Sequence, residues 1–170
     1  MNPKLYWIPS SSPGKIAISA RPRGGDWLED EVEGWRKQDI QVVVSLLTPA
    51  EDKEFELKSE SVVAKAKGIQ FISSPVEDRG VPQSSVKFED LVAKLAADIQ
   101  HGRNIAVHCR QGIGRSSLLS AAVLVFQGEE LDEALAAISG ARAVSVPETE
   151  AQRTWLERFA RAHRPMVPRS

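Results

Sequence analysis

The chain reads as an α/β domain, a mainly parallel, twisted sheet flanked by helices. Three observations predict it. Short apolar runs of strand type alternate with longer stretches of helical periodicity, the pattern in which each strand feeds a helix. The run Val42 to Leu47 is apolar at every position except Ser45, as a strand buried on both faces requires. Ser117 to Phe126 is apolar almost all round, which suits a helix only at the centre of a domain. With 170 residues, 42% hydrophobic and 26% charged, a single core is the default. Residues 1–170 are therefore expected to form one domain, with loose ends at about 1–14 and 165–170.

The elements follow in order. Lys15 to Ser19 is a short strand, and the turn-rich Arg21-Pro22-Arg23-Gly24-Gly25 leads to Asp26, an N-cap for a helix with Leu28, Val32 and Trp35 on one face. Val42 to Leu47 is a central strand. Thr48-Pro49 and the acidic residues after it open a helix, and a further helical segment ends at Gly68. Ile69 to Ser73 is a strand that runs into the loop Ser74 to Gln83. Ser84 or Ser85 opens a helix in which Phe88, Leu91, Val92, Leu95, Ala96 and Ile99 recur at helical spacing, stopping near Gly102. Asn104 to His108 is an apolar strand, and Leu131 to Ile138 and Gln152 to Phe159 are amphipathic helices. Trp7, Trp27, Trp35 and Trp155 are expected to pack in the core or against it.

Composition narrows the function classes. A net charge of −1 gives no global attraction to nucleic acid or to an acidic membrane, so an anionic ligand must be recognised locally. The one cysteine excludes an internal disulfide framework and is compatible with a reducing compartment. No segment approaches the ~18 apolar residues of a membrane span, and Tyr6-Trp7-Ile8 is too short for the core of a signal peptide, so a cytoplasmic monomer is expected. Histidines at 101, 108 and 163 with one cysteine form no zinc pattern, and no cofactor is implied.

The informative stretch is His108-Cys109-Arg110-Gln111-Gly112-Ile113-Gly114-Arg115-Ser116, between a buried strand and a buried helix. A loop in that position gathers backbone N–H groups into one concavity, and the helix N-terminus adds about half a positive charge. Gly112 and Gly114 permit the tight turns this needs and clear the anion's approach. Arg115 can hold two phosphate oxygens through its planar fork, which a lysine cannot copy. Arg110, Gln111, Gly112, Ile113 and Gly114 would complete the phosphate cradle. The same amides and guanidinium favour the thiolate of Cys109, making it a nucleophile aimed at phosphorus. Ser116 can donate to that sulfur as it leaves, and His108 suits a brace for the loop. A lone cysteine is otherwise most often a small buried hydrophobe.

Expulsion of an alkoxide or phenoxide needs a proton, so an acid is expected on a loop that covers the cradle. Ser74-Pro75-Val76-Glu77-Asp78-Arg79-Gly80-Val81-Pro82 follows a strand end as Cys109 does, which places both at one edge of a parallel sheet. Glu77 and Asp78 are the candidate acids on this loop, and both acting as solvated loop charges is the plain reading. Arg79 either guides an anionic substrate or offsets those acids. Arg21 and Arg23 either rim the site or are simply solvated.

The stretch from His108 to Ser116 resembles the signature of the protein tyrosine phosphatase superfamily: His-Cys, five residues, Arg, then Ser or Thr. Its length, the acid loop and the mid-chain cysteine resemble the dual-specificity branch; in the low-molecular-weight branch the cysteine lies near the N-terminus. The resemblance implies a cysteine-dependent phosphatase acting on a phosphorylated protein or another phosphomonoester through a phosphocysteine intermediate, with Asp78 as general acid. It also implies a water-positioning role for Gln152, although a hydrogen-bonded structural glutamine would fit the same apolar stripe. A phosphate-binding module with little catalysis and a rhodanese-like sulfurtransferase are the rival readings. Arg115 five residues beyond Cys109 and the separate acid loop favour phosphate. Gln111 and Ile113 lack the lysines associated with inositol phosphates, while Arg79 and Arg110 keep such substrates open.

Overall fold

The structure, a computed structural model, describes residues 3–163. Five strands, β1 (Leu5–Trp7), β2 (Ile16–Ser19), β3 (Val42–Ser45), β4 (Gln70–Ser73) and β5 (Ile105–His108), form one sheet in the order β1-β2-β5-β3-β4. Only the β1–β2 pair is antiparallel; the other three pairs are parallel. The helices are α1 (Leu28–Lys37), α2 (Pro49–Glu54), α3 (Glu60–Ala66), α4 (Ser85–Gln100), α5 (Gly114–Phe126), α6 (Leu131–Arg142) and α7 (Glu150–Ala162).

β2, β3 and β5 are buried along their whole length, and their two-residue alternation divides the core. Ile16, Ile18, Val42, Val44, Ile105 and Val107 join the larger cluster with residues of α4 to α7. Ala17, Val43 and Ala106 point the other way, and Val43 and Ala106 join Leu28, Val32, Trp35 and Ala64 of α1 and α3. Small alanines on that face let the α1 layer come close. α5 packs against α4, α6, α7 and the sheet, which is why its sequence is apolar almost all round.

Several boundaries differ from expectation for local reasons. α5 begins at Gly114 rather than Ser117, because Gly114 to Ser116 at the end of the 109–115 loop already take up the first helical turn. The predicted N-cap Asp26 makes no capping bond, since Gly25–Trp27 form a 3₁₀ turn ahead of α1. Thr48 does open α2: its side chain accepts from the Glu51 N–H while Glu51 accepts from the Thr48 N–H, a reciprocal capping box with proline at the first helical position.

Within the stretch 1–14 expected to be loose, part of the described residues 3–14 is tied down. Leu5–Trp7 pair with Ala17–Ser19, and Gly14 N–H donates to Ile99 O at 2.8 Å, so the segment is tied to both β2 and α4. Three residues carry too little periodicity to be read as a strand before a partner is known. The expectation for 165–170 falls outside the described residues. Two tryptophans also depart from the packing expected of them: Trp27 is 55% exposed, with the Arg23 guanidinium over its ring, and Trp7 is 37% exposed. Trp35 is fully buried and Trp155 packs edge-on against Phe88.

Candidate active site

The carboxyl ends of β3, β4 and β5 meet at one edge of the sheet, where parallel α/β folds place ligands. The ladder continues past the strands: Leu46 N–H donates to His108 O, and Val76 N–H donates to Leu46 O. These bonds bring the acid loop after β4 beside the loop after β5. A cleft of about 180 Å³ opens there, lined by Asp78, Arg79, Cys109, Arg110, Gln111, Ile113, Gly114, Arg115 and Glu148. The sequence-predicted nucleophile, arginine and acid thus share one cleft.

The 109–115 loop sits on the N-terminus of α5. Among the described residues, no acceptor is bound by the backbone N–H groups of Arg110 to Arg115. Arg142, at the end of α6, explains part of that orientation. Its Nε donates to Gly112 O at 2.6 Å and its guanidinium donates to Gln111 O at 3.3 Å. Because a trans peptide sets C=O and N–H on opposite sides, drawing these carbonyls toward α6 turns the N–H groups of Gly112 and Ile113 the other way. Arg142 itself is stacked over Tyr6 of β1.

The two loop glycines serve different ends. Gly112 has φ of +69°, a conformation that favours glycine. Gly114 does not; a Cβ there would meet Glu148 Oε1 at 3.1 Å and Gln152 Nε2 at 3.2 Å, so close packing is its reason.

Arg115 is 2% exposed and held on several sides. Its guanidinium donates to Glu51 Oε1 at 2.7 Å and Oε2 at 2.9 Å, to Val76 O at 2.8 Å and to Leu46 O at 3.4 Å. Asp78 Oδ1 lies 3.5 Å from it. Burial pushes the Glu51 carboxyl up, but hydrogen bonds from Arg115 and Thr48 outweigh it and hold the group at about 2. Burial likewise opposes the charge on Arg115, yet Glu51, Cys109 and Asp78 together raise its pKa. The arginine is therefore a fixed cation, pre-aimed by a bidentate carboxylate. Glu51 was not singled out by sequence reasoning; the Thr48-x-x-Glu51 capping box was its only local trace.

Cys109 is buried, as the floor of a cleft would be. His108 is fixed in place: its Nε2 pairs with Glu60 Oε2 at 2.6 Å and its ring stacks 5.8 Å from Trp35. Ser116 Oγ is buried and makes no hydrogen bond among the described residues, so the bond to sulfur expected from the sequence is not formed in this structure.

The acid loop turns sharply at Asp78-Arg79, with Gly80 N–H donating to Glu77 O and Arg79 at φ of +62°. Asp78 lines the cleft and approaches Arg115, whereas Glu77 is exposed and outside the lining. Arg79 pairs with Glu148 at 3.3 Å rather than with its neighbouring acids. Gln152 is completely buried on α7; its Nε2 donates to Gly80 O at 3.1 Å, and its Oε1 has no partner among the described residues. Glu148 and Gln152 together stitch the acid loop to the segment ahead of α7. Arg23 is engaged by Glu31 and Trp27, and Arg21 stacks on Phe55 beside Arg110.

Residues 32–161 match the family model described as dual specificity phosphatase, catalytic domain. The chain belongs to this family. A rat protein, cyclin-dependent kinase inhibitor 3, is similar at 23% identity over 134 residues, 78% of this chain and 63% of that protein. The chain thus spans less than two thirds of that relative's length. Among solved structures, kinase associated phosphatase carrying a serine in place of its catalytic cysteine superposes with a TM-score of 0.82 at 17% identity, covering 95% of this chain and 96% of that one. Tk-PTP in its active form superposes with a TM-score of 0.75 at 23% identity, covering 92% and 96%. These likenesses establish the protein tyrosine phosphatase fold, dual-specificity branch, for the chain. No helix among the described residues is long and apolar enough to cross a membrane.

Proposed function

We propose that this chain is a cysteine-dependent protein phosphatase of the tyrosine or dual-specificity type. The observation that carries the reading is the convergence of Cys109, Arg115 and Asp78 on one cleft, with Arg115 locked by Glu51. Membership of the dual-specificity family and likeness to a kinase associated phosphatase with a catalytic cysteine support it.

In the proposed sequence the Cys109 thiolate attacks phosphorus in line, forming the S–P bond as the P–O bond to the leaving group breaks. Arg115 and the free loop amides hold the equatorial oxygens, where charge spreads in the transition state. Asp78 gives its proton to the departing oxygen. A water then attacks the phosphocysteine while Asp78 takes a proton back, releasing phosphate and the thiolate. Ser116, whose hydroxyl is buried and uncommitted, would donate to the departing sulfur. Gln152 would aim its free carbonyl at the attacking water while its amide keeps Gly80 in place. A reducing cytoplasm suits a mechanism that rests on a free thiol.

The test is hydrolysis of a chromogenic aryl phosphate by the wild-type chain and by Cys109→Ser. The variant is expected to lose turnover yet still bind phosphate or vanadate. Equal turnover in both proteins would remove the proposal.

A further inference from the structure

The phosphate cradle is supported from behind by a contact that leads to the amino-terminal strand. Among the described residues, Arg142 is the one side chain bonded to carbonyl oxygens of the 109–113 stretch, through Gly112 O at 2.6 Å and Gln111 O at 3.3 Å. What covers the flat face of its guanidinium is the ring of Tyr6, with Cζ 4.0 Å from the ring centroid. Both side chains are half-buried, so without the ring the long arginine stem has solvent to swing into.

Tyr6 reaches this position through strand register. It lies opposite Ile18 of β2, so the two side chains share one face of the sheet. Ile18 belongs to the larger core cluster, against which Tyr6 packs. Ile18 also touches the cradle: a Cβ added to Gly112 would meet Ile18 Cγ2 at 3.2 Å and Arg142 Nε at 3.9 Å. Tyr6, Ile18, Arg142 and Gly112 are therefore neighbours in one continuous contact from the sheet edge to the loop. Gly112, at φ of +69° and with no side chain of its own, is held from outside. β1, at the end of the strand order, is paired on one side only and by three residues, which makes it the least secured strand of the sheet.

Resting on the phosphatase reading above, we propose that Tyr6 is a positioning residue for the phosphate cradle, acting through Arg142. The stacked ring holds the guanidinium against Gln111 O and Gly112 O, which keeps the Gly112 and Ile113 N–H groups turned toward the phosphate. Less ordering is then left for anion binding to do. By this route β1 acts on the site although none of its described residues lines the cleft.

The experiment measures the affinity of the full chain for tungstate, a phosphate-sized oxyanion, by calorimetry, together with kcat/KM on an aryl phosphate. Tyr6→Leu keeps an apolar side chain but removes the ring, whereas Tyr6→Phe keeps the ring and drops the hydroxyl. Tyr6→Leu should weaken tungstate binding about threefold and lower kcat/KM by a similar factor, the scale of one partly exposed cation–π contact, while Tyr6→Phe should stay within about 1.5-fold of wild type. Arg142→Gln should weaken tungstate binding about tenfold. In that background Tyr6→Leu should add less than about 1.5-fold, because its effect runs through the guanidinium. A ring that only packs would lower the melting temperature and leave tungstate affinity alone, or its loss would multiply with that of Arg142→Gln; either outcome overturns the proposal. So does a loss in Tyr6→Phe equal to that in Tyr6→Leu. The two Tyr6 variants decide the matter even where Arg142→Gln does not fold. Failure of the phosphatase reading appears separately, as the expected ranking of tungstate affinities in a chain whose unmutated form turns over no aryl phosphate.

Discussion

Glu51→Gln tests the physical core of the site most directly. The carboxylate makes two charge-assisted bonds to Arg115, at 2.7 and 2.9 Å, and accepts from Thr48 N–H at 3.0 Å. A glutamine of the same size keeps one acceptor oxygen, so one of the two guanidinium bonds is lost and the other loses its charge. Hydrogen bonds to charged groups contribute about 1.5–3 kcal/mol each, and on the buried side of an arginine that is 2% exposed little water replaces the lost bond, so the substitution should cost about 2–3 kcal/mol. For a chain of this size that lowers the melting temperature by about 4–10 °C. The guanidinium, now held chiefly by Val76 O and Leu46 O, is freer to turn, and kcat/KM on an aryl phosphate should fall about 10- to 100-fold. The acid limb supplies a second reading. With the Glu51 carboxyl at about 2 in the folded chain and near ~4.3 unfolded, its contribution is fully present above the unfolded value. It is lost as pH falls through about 2, and the glutamine variant should lack this share of acid sensitivity. An unchanged melting temperature with kcat/KM within threefold of wild type would refute the account of Arg115 as a cation aimed by Glu51.

The other expectations follow from the same geometry. Asp78→Asn should slow hydrolysis of a phosphate ester with a poor leaving group by about 10²–10⁴-fold, and Glu77→Gln should change it less than threefold; the reverse ranking would move the acid to Glu77. Gln152→Leu should slow breakdown of the phosphocysteine and produce a burst of released phenol, whereas a uniform loss of rate without a burst would leave Gln152 only as a brace on Gly80. Leu119→Ala, at a fully buried position on α5, should lower unfolding free energy by about 2–5 kcal/mol in a denaturant titration. A loss under about 1 kcal/mol would mean that the helices around α5 close into the cavity.

Much of this molecule is legible in one dimension because the deciding forces act over a few residues. The apolar runs that became β2, β3 and β5, the all-round apolar α5, the Thr48 helix start and the phosphate loop each follow from spacing within one element. The loop that carries Glu77 and Asp78 is placed the same way, leaving a strand end as the Cys109 loop does, while the choice of Asp78 between them came from the family resemblance. What tertiary structure alone decided are the partners across the sheet. Glu51 meets Arg115 across 64 residues, Glu148 meets Arg79 across 69, and Arg142 reaches Gly112 across 30. None of these pairs has a period or a motif to announce it. They form because β5 inserts between β2 and β3, which brings the ends of β3, β4 and β5 to one edge. The three-residue β1 and the Arg21–Phe55–Arg110 rim share that origin. Local chemistry is written in neighbouring residues, but which distant charges and carbonyls come to face one another is set by the order in which the strands hydrogen-bond.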